Sequence, residues 1–164
     1  RGYEFVTRKI SQAVAMIKLK KQKYLELGNL EAQRDWGYAP EYVQAMWLML
    51  QQKAPDDYVV GTGKTYSIKY FVEKAFDVLG LNYQKYVKIN KIYFRPAEVE
   101  LLIADYTKIN KQIGKQVKNP FTKDVFTYQS AGIHFINVGL ECKKTKIDQL
   151  IEKMVINDLN LLKK

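Results

Sequence analysis

Cysteine occurs once, at Cys142, and histidine once, at His134, in a chain of 164 residues. An internal disulfide is therefore excluded, and a Cys/His zinc site cannot be assembled within the chain. No metal site is expected, and a reducing compartment, the cytoplasm, is the expected location. Long apolar runs are missing as well: none reaches the roughly 18 residues that a membrane span requires. The opening Arg1-Gly2-Tyr3-Glu4 lacks the charged-then-apolar layout of a signal segment. No Asn-x-Ser/Thr acceptor occurs. An initiator methionine is also lacking, and the chain passes almost at once into helical periodicity, an opening expected of a fragment. Acidic residues are scarce, 17 against 27 Lys and Arg, for a formal charge of +10. That balance favours polyanionic partners such as nucleic acid, acidic membrane surfaces or phosphorylated small molecules.

What is present is ample for a core: 47% hydrophobic residues, 13% of the chain aromatic, enough for one globular domain. Ile10, Ala13, Val14 and Ile17 recur at helical steps, so residues of about 7–20 read as an amphipathic helix. Lys18, Lys20, Lys21 and Lys23 follow it, as cations at a helix C-terminus do. Tyr24 to Leu27 reads as a short strand. Pro40 starts a second helix whose expected buried stripe is Val43, Met46, Trp47 and Leu50. Asp57 to Val60 reads as another strand, and Ser67 caps a helix that Gly80 ends.

Tyr86 to Phe94 and Val99 to Ala104 give two more candidate strands, and Asp105 can cap a short helix up to Gly114. Thr145 with Asp148 forms a capping-box pattern before a final helix with Ile147, Leu150, Ile151, Met154, Val155, Leu159 and Leu162 on one face. The whole is an α/β pattern of short strands with about five helices. Residues of about 115–142 break it as an irregular insertion.

Few of the motifs carry chemistry. Gly61-Thr62-Gly63-Lys64-Thr65 has the look of a phosphate-cradling loop, but the glycine that such a loop needs five residues before Gly63 is Tyr58. It reads as a plain strand-to-helix turn. His134 has no nucleophile or carboxylate at a telling spacing and reads as structural, and Cys142 as an inert thiol. Two arginines stand apart: Arg34 in Arg34-Asp35-Trp36-Gly37 and Arg95 in Tyr93-Phe94-Arg95-Pro96-Ala97-Glu98. A guanidinium offers paired donors matched to phosphate or carboxylate, and flanking aromatics and turn residues can fix its aim. Thr7 and Lys9 at the start of the first helix add a hydroxyl, an ammonium and free backbone N–H groups.

The words Phe5-Val6-Thr7-Arg8-Lys9-Ile10, Leu27-Gly28-Asn29-Leu30, Arg34-Asp35-Trp36-Gly37, Met46-Trp47-Leu48-Met49-Leu50-Gln51-Gln52 and Tyr93-Phe94-Arg95-Pro96-Ala97-Glu98-Val99-Glu100 come in this order. Together they resemble the C-terminal half of the GDP-mannose 4,6-dehydratase family, within the extended short-chain dehydrogenase/reductases. The resemblance covers about residues 1–114 and resumes at about 143–159. It implies that residues 1–164 are a sugar-nucleotide-binding lobe, with the Rossmann half absent. In such an enzyme NADP oxidises C4 of GDP-mannose, water is lost across C5 and C6, and the hydride returns to C6.

The resemblance also implies that the cofactor loop and the catalytic groups lie in the N-terminal half, which leaves no catalytic residue in this chain. Tyr70-Phe71-Val72-Glu73-Lys74 has its lysine at the wrong offset for the family's catalytic pair. By the same resemblance Thr7 and Lys9 contact the nucleotide, Gly28 and Asn29 line the guanosine end, Arg34 and Arg95 hold the diphosphate, and Glu98 binds ribose or base. The expected partners are GDP-mannose, the N-terminal half and further copies of the full protein. Tyr38 departs from the family's histidine, and the insertion replaces a short link. The alternative is a basic, non-catalytic module for nucleic acid or another polyanion.

Overall fold

The computed structural model describes residues 2–94, 97, 99–113, 117–118, 125–126 and 145–163. Arg95, Glu98, His134 and Cys142 lie outside the described residues. The chain divides into two compact units, the first made of 1–34, 66–101 and 147–164, the second of 35–65 and 102–146.

The first unit is built on three helices. Helix α1 (Val6–Lys18) buries Thr7, Ile10, Ser11, Val14 and Ile17, the stripe expected from its periodicity. Helix α3 (Ile68–Val78) buries Phe71, Val72, Ala75 and Phe76, and α5 (Ile147–Lys163) buries Ile147, Ile151, Val155 and Asp158. Each fully buried large apolar side chain contributes about 1.5–3 kcal/mol of transfer free energy. Helix α5 packs on both α1 and α3. Strand β1 (Leu25–Leu27) pairs in parallel with β4 (Val87–Ile89), Leu25 opposite Val87, and its Leu-Glu-Leu alternation turns Leu25 and Leu27 into the core.

The helix ends follow local chemistry. Ser67 Oγ accepts the Tyr70 N–H at 3.0 Å as the α3 cap, and Gly80, at φ +64°, follows the helix in the left-handed conformation. Lys20 takes that conformation after α1 (φ 58°), and Lys21 N–H closes the turn onto Met16 O at 2.8 Å. The lysine cluster does more than face solvent. Lys18 Nζ donates to Leu79 O at 2.8 Å and Lys21 Nζ to Leu162 O at 2.7 Å, so two of the four lysines satisfy helix C-terminal carbonyls.

Among the described residues, one carboxylate enters this core. Asp158 is almost fully buried; its Oδ1 lies 2.6 Å from Arg8 Nη1, and its Oδ2 accepts the Ser11 hydroxyl at 2.6 Å. Nearer the surface, Tyr70 donates its hydroxyl to Asp148 Oδ1 at 2.7 Å. Asp148 is thus engaged by α3, and α5 begins at Ile147, two residues past Thr145.

In the second unit, helix α2 (Ala39–Leu50) starts with proline in its first turn and buries Ala45 and Leu48 against Ile109 of α4 (Thr107–Ile113). Two expectations fail here. Val43, Met46 and Leu50 are 61%, 53% and 82% exposed; only Trp47 of the predicted stripe packs on the core, together with Met49, Tyr58 and Val60. Residues 57–60 form no strand, because no partner for them lies among the described residues. The predicted strands at 86–94 and 99–104 shrink to β4 and to β5 (Leu101–Leu102), with 3-10 turns at Tyr83–Lys85 and Lys91–Tyr93. Leu101, Leu102 and Ile103 are half exposed, so that apolar run is not core.

Strands β2 (Gln33–Asp35) and β3 (Thr65–Ser67) complete a three-stranded sheet in the order β3-β2-β5. Within the expected insertion, β6 (Val117–Lys118) pairs antiparallel with β7 (Val125–Phe126).

Two measurements test this account. Asp158→Ala leaves Arg8 and Ser11 without their buried acceptor and is expected to cost about 3 kcal/mol in urea unfolding; a loss under about 1 kcal/mol contradicts the network. The Asp148 hydrogen bond, with burial and the Asp148 charge behind it, pushes the Tyr70 phenol up to about 12. A raised phenol pKa stabilises the fold fully below its ordinary value near 10 and loses that contribution as pH rises towards 12. The stability difference between wild type and Tyr70→Phe should be constant below about pH 10 and vanish near pH 12; a difference unchanged across that window contradicts it.

Candidate functional site

The side chains singled out from the sequence begin on α1. Helix α1 has no side-chain cap at Phe5, so its first-turn N–H groups have no side-chain acceptor there, and Thr7 is buried in that turn. Two residues on, Lys9 lies with Nζ 3.7 Å from the centre of the Tyr93 ring. Burial pushes the Lys9 ammonium below its ordinary pKa, while the nearby Glu26 carboxylate acts in the opposite sense. Lys9, Gln12, Lys23, Tyr24, Glu26 and Tyr93 line a cavity of about 460 Å³ in the first unit.

Gly28 follows β1 and meets the same tyrosine from the other side. A Cβ at this position would stand 2.5 Å from Tyr93 O and 2.8 Å from its carbonyl carbon, so only glycine lets the two backbones approach. Asn29 turns the chain, its Oδ1 accepting the Glu31 N–H at 2.9 Å. Asn90 ties β4 to β1: its N–H donates to Leu27 O at 2.8 Å, its amide to Glu26 Oε2 at 3.2 Å, and its Oδ1 accepts the Ile92 N–H at 3.1 Å. Lys9 and Gly28 are therefore brought together at Tyr93, and Asn29 shapes the turn that follows Gly28.

Arg34 is placed differently. Its Nη1 donates to Gln33 O at 2.8 Å and to Val99 O at 2.7 Å, while Gln33 N–H donates to Glu100 O at 2.7 Å. The guanidinium thus grips the backbone immediately after Glu98, which joins the word around Arg34 to the word around Arg95. Arg95 and Glu98 themselves are outside the described residues.

Three cavity residues were missed in the sequence. Tyr93 stood in a quoted word only as a flank of Arg95. Tyr24 and Glu26 belonged to a strand whose outward side carried no motif. The alternation of β1 was the available signal, because it turns Glu26 away from the core, where its partner in the pairing is Lys88.

The turn at 61–63, in the second unit, has a clear chemical identity. The N–H of Thr62 donates to both Asp35 oxygens (3.0 and 3.1 Å), Thr62 Oγ1 to Oδ1 (2.6 Å), and Gly63 N–H and Ala104 N–H to Oδ2 (2.9 and 3.3 Å). The donors that a phosphate would use are held by a carboxylate of the same chain. Among the described residues, no group of three or more His, Cys, Asp or Glu side chains is placed to hold a metal ion, and no helix is long and apolar enough to cross a membrane.

Gly28→Ala forces the Tyr93 backbone to move and is expected to cost about 1–3 kcal/mol in thermal or urea unfolding. An unchanged stability contradicts the close approach.

Comparison with known proteins gives consistent matches. A family model described as GDP-mannose 4,6 dehydratase matches residues 1–125, ending inside the stretch that the sequence sets apart. GDP-mannose 4,6 dehydratase 1 of Arabidopsis thaliana is 50% identical over 123 residues, covering 75% of this chain and 34% of that protein. The GDP-mannose 4,6-dehydratase of Sinorhizobium fredii is 47% identical over 131 residues, covering 70% and 37%. The chain thus spans about a third of the length of these relatives. Among solved structures, RMD from Pseudomonas aeruginosa complexed with NADPH superposes with a TM-score of 0.73 at 15% identity, over 98% of this chain and 44% of that one. UDP-glucose 4-epimerase of Thermotoga maritima with UDP-glucose gives 0.67 at 16%, over 98% and 41%. At such identities the likeness is one of fold: the α/β fold of the extended short-chain dehydrogenase/reductases.

Proposed function

The chain belongs to the GDP-mannose 4,6 dehydratase family, and we propose that it is the substrate-binding portion of an NADP-dependent enzyme that converts GDP-mannose to its 4-keto-6-deoxy product. The observation that carries the reading is that Lys9 and Gly28 both meet Tyr93, and that Lys9 and Tyr93 line one cavity. A half-desolvated ammonium beside an aromatic face suits a phosphorylated nucleoside, with charge for the phosphate and a ring for the base. Thr7 and Lys9 contact the nucleotide, Gly28 and Asn29 line the guanosine end, and Glu98 accepts from ribose or base. Arg34 and Arg95 hold the diphosphate, with Arg34 also fixing the backbone beside Glu98.

The described residues do not fit the cofactor. The one glycine-rich turn that follows the pattern of a phosphate loop has its donors on Asp35. NADP belongs with residues outside this sequence, and no chemical step is derived from these side chains. The portion by itself is inactive. In the same reading the full-length protein is a cytoplasmic homo-oligomer in which this lobe meets an N-terminal cofactor half.

Calorimetric titration of residues 1–164 with GDP, GDP-mannose and ADP tests the reading. GDP is expected to bind at least tenfold tighter than ADP, and Lys9→Ala and Arg95→Ala are each expected to weaken GDP binding about tenfold, the loss of one charge-assisted contact. No change in Arg95→Ala sinks the diphosphate assignment. Binding that ignores the base and falls steeply with salt identifies a polyanion-binding module instead.

A further inference from the structure

Among the described residues, the cavity beside α1 has a single acidic side chain in its lining, Glu26, set among Lys9, Lys23 and the rings of Tyr24 and Tyr93. Its volume of about 460 Å³ falls in the roughly 300–1,000 Å³ range of small-molecule sites. A carboxylate repels a phosphate, so in a site for a phosphorylated nucleoside it must face another part of the ligand.

Glu26 does not serve the core. The Leu-Glu-Leu alternation of β1 buries its two neighbours and leaves Glu26 exposed. Its Oε2 accepts the Asn90 amide at 3.2 Å, a contact that orients the carboxylate. That bond leaves most of the roughly four acceptor positions of an ionised carboxylate to a ligand. The same carboxylate acts on the Lys9 ammonium from close by, so α1 and β1 present a cation and an anion side by side in one cavity.

That pairing has a chemical complement. The pairing edge of guanine runs acceptor, donor, donor: O6, N1–H and the 2-amino group. An ammonium donates to the first, and one carboxylate accepts from the other two together. Adenine carries the opposite order, with its amino group towards the ammonium and the N1 lone pair towards the carboxylate, two mismatched contacts. Hypoxanthine keeps O6 and N1–H and lacks only the 2-amino group.

We propose that Glu26 selects the guanine base, its carboxylate accepting N1–H and the 2-amino group while Lys9 donates to O6 and Asn90 holds the carboxylate in aim. The inference rests on the reading of this cavity as the nucleotide site and deepens it by naming what reads the base. It also refines the part of Lys9, from the phosphate to the base oxygen, and leaves the diphosphate to Arg34 and Arg95.

The experiment is calorimetric titration of the chain and of Glu26→Gln with GDP, inosine diphosphate and ADP. Glutamine keeps the shape of the side chain and an acceptor for Asn90, and the position is exposed, so the variant folds. The wild type is expected to bind GDP about tenfold tighter than inosine diphosphate, the value of one charge-assisted hydrogen bond, and to bind ADP weakest. In Glu26→Gln the two 6-oxo nucleotides are expected to come within about threefold of each other, because an amide offers one acceptor where the carboxylate offered two. A variant that weakens all three ligands by the same factor shows a structural role and overturns the inference. A variant that keeps the wild-type ratio of GDP to inosine diphosphate overturns it too, and leaves the substrate assignment standing. A wild type with no preference for GDP over ADP overturns the substrate assignment, and this inference with it.

Discussion

The first unit depends on one buried carboxylate. Asp158 lies on the inner face of α5, where an apolar residue would be expected, and α1 answers it with Arg8 and Ser11. A charge taken out of water is tolerated only when paired and hydrogen-bonded, so the two helices have one relative rotation at which this network closes. That rotation matters because Arg8 stands between the two site residues of α1. Successive residues on a helix point about 100° apart. With Arg8 turned onto α5, Thr7 is directed into the core and Lys9 onto the face that meets Tyr93. The aim of the ammonium is therefore set by a contact on a different side of its helix.

Legibility from the sequence followed the range of the determining interactions. Helices α1, α3 and α5 could be read because their stripes, the Ser67 cap and the Gly80 stop are local and agree with one another. The presence of α2 could also be read, but not its inner face, since apolar residues lie on more than one of its sides and periodicity does not choose among them. Asp158 escaped notice for the converse reason: a polar residue on an apolar stripe has meaning only through partners 147 and 150 positions away in the chain, at Ser11 and Arg8. Arg34 was read as an anion-holding residue, and the carbonyls of Gln33 and Val99 to which it donates leave no mark in the sequence. Tyr93 became central only when the parallel pairing of β1 with β4 set Gly28 beside it.

The turn at Gly61-Thr62-Gly63 shows how a local pattern can be resolved by one distant side chain. Its amides converge as in an anion-binding turn, and Gly63 takes the positive φ of +66° that such turns use. Asp35 fills that position, bringing a carboxylate to Thr62, Gly63 and Ala104 together. The spacing argument against a nucleotide loop and this geometry agree, but the geometry supplies the reason: a phosphate there would meet a fixed negative charge. Charge elsewhere follows the same logic. Lys18 and Lys21 sit on helix C-terminal carbonyls, so part of the net positive charge serves the fold and the basic composition by itself says little about a polyanion.

The two units differ in how much apolar surface their described residues bury. The first unit closes three helices over a parallel strand pair with a fully buried core and a satisfied internal charge. Among the described residues the second has a small buried cluster, Ala45, Leu48 and Ile109, much less apolar burial than the three helices of the first supply. Among the described residues, Val43, Met46 and Leu50 of α2 face solvent and residues 57–60 have no ladder partner, so the helix and the segment after it bury only part of their apolar surface within this unit. Lys9, Gly28 and Tyr93 all lie in the first unit, so their arrangement is set within it. The second unit begins at Asp35, directly after Arg34, and there the carboxylate organises the 61–63 turn while the guanidinium beside it holds the Val99 carbonyl of the first unit.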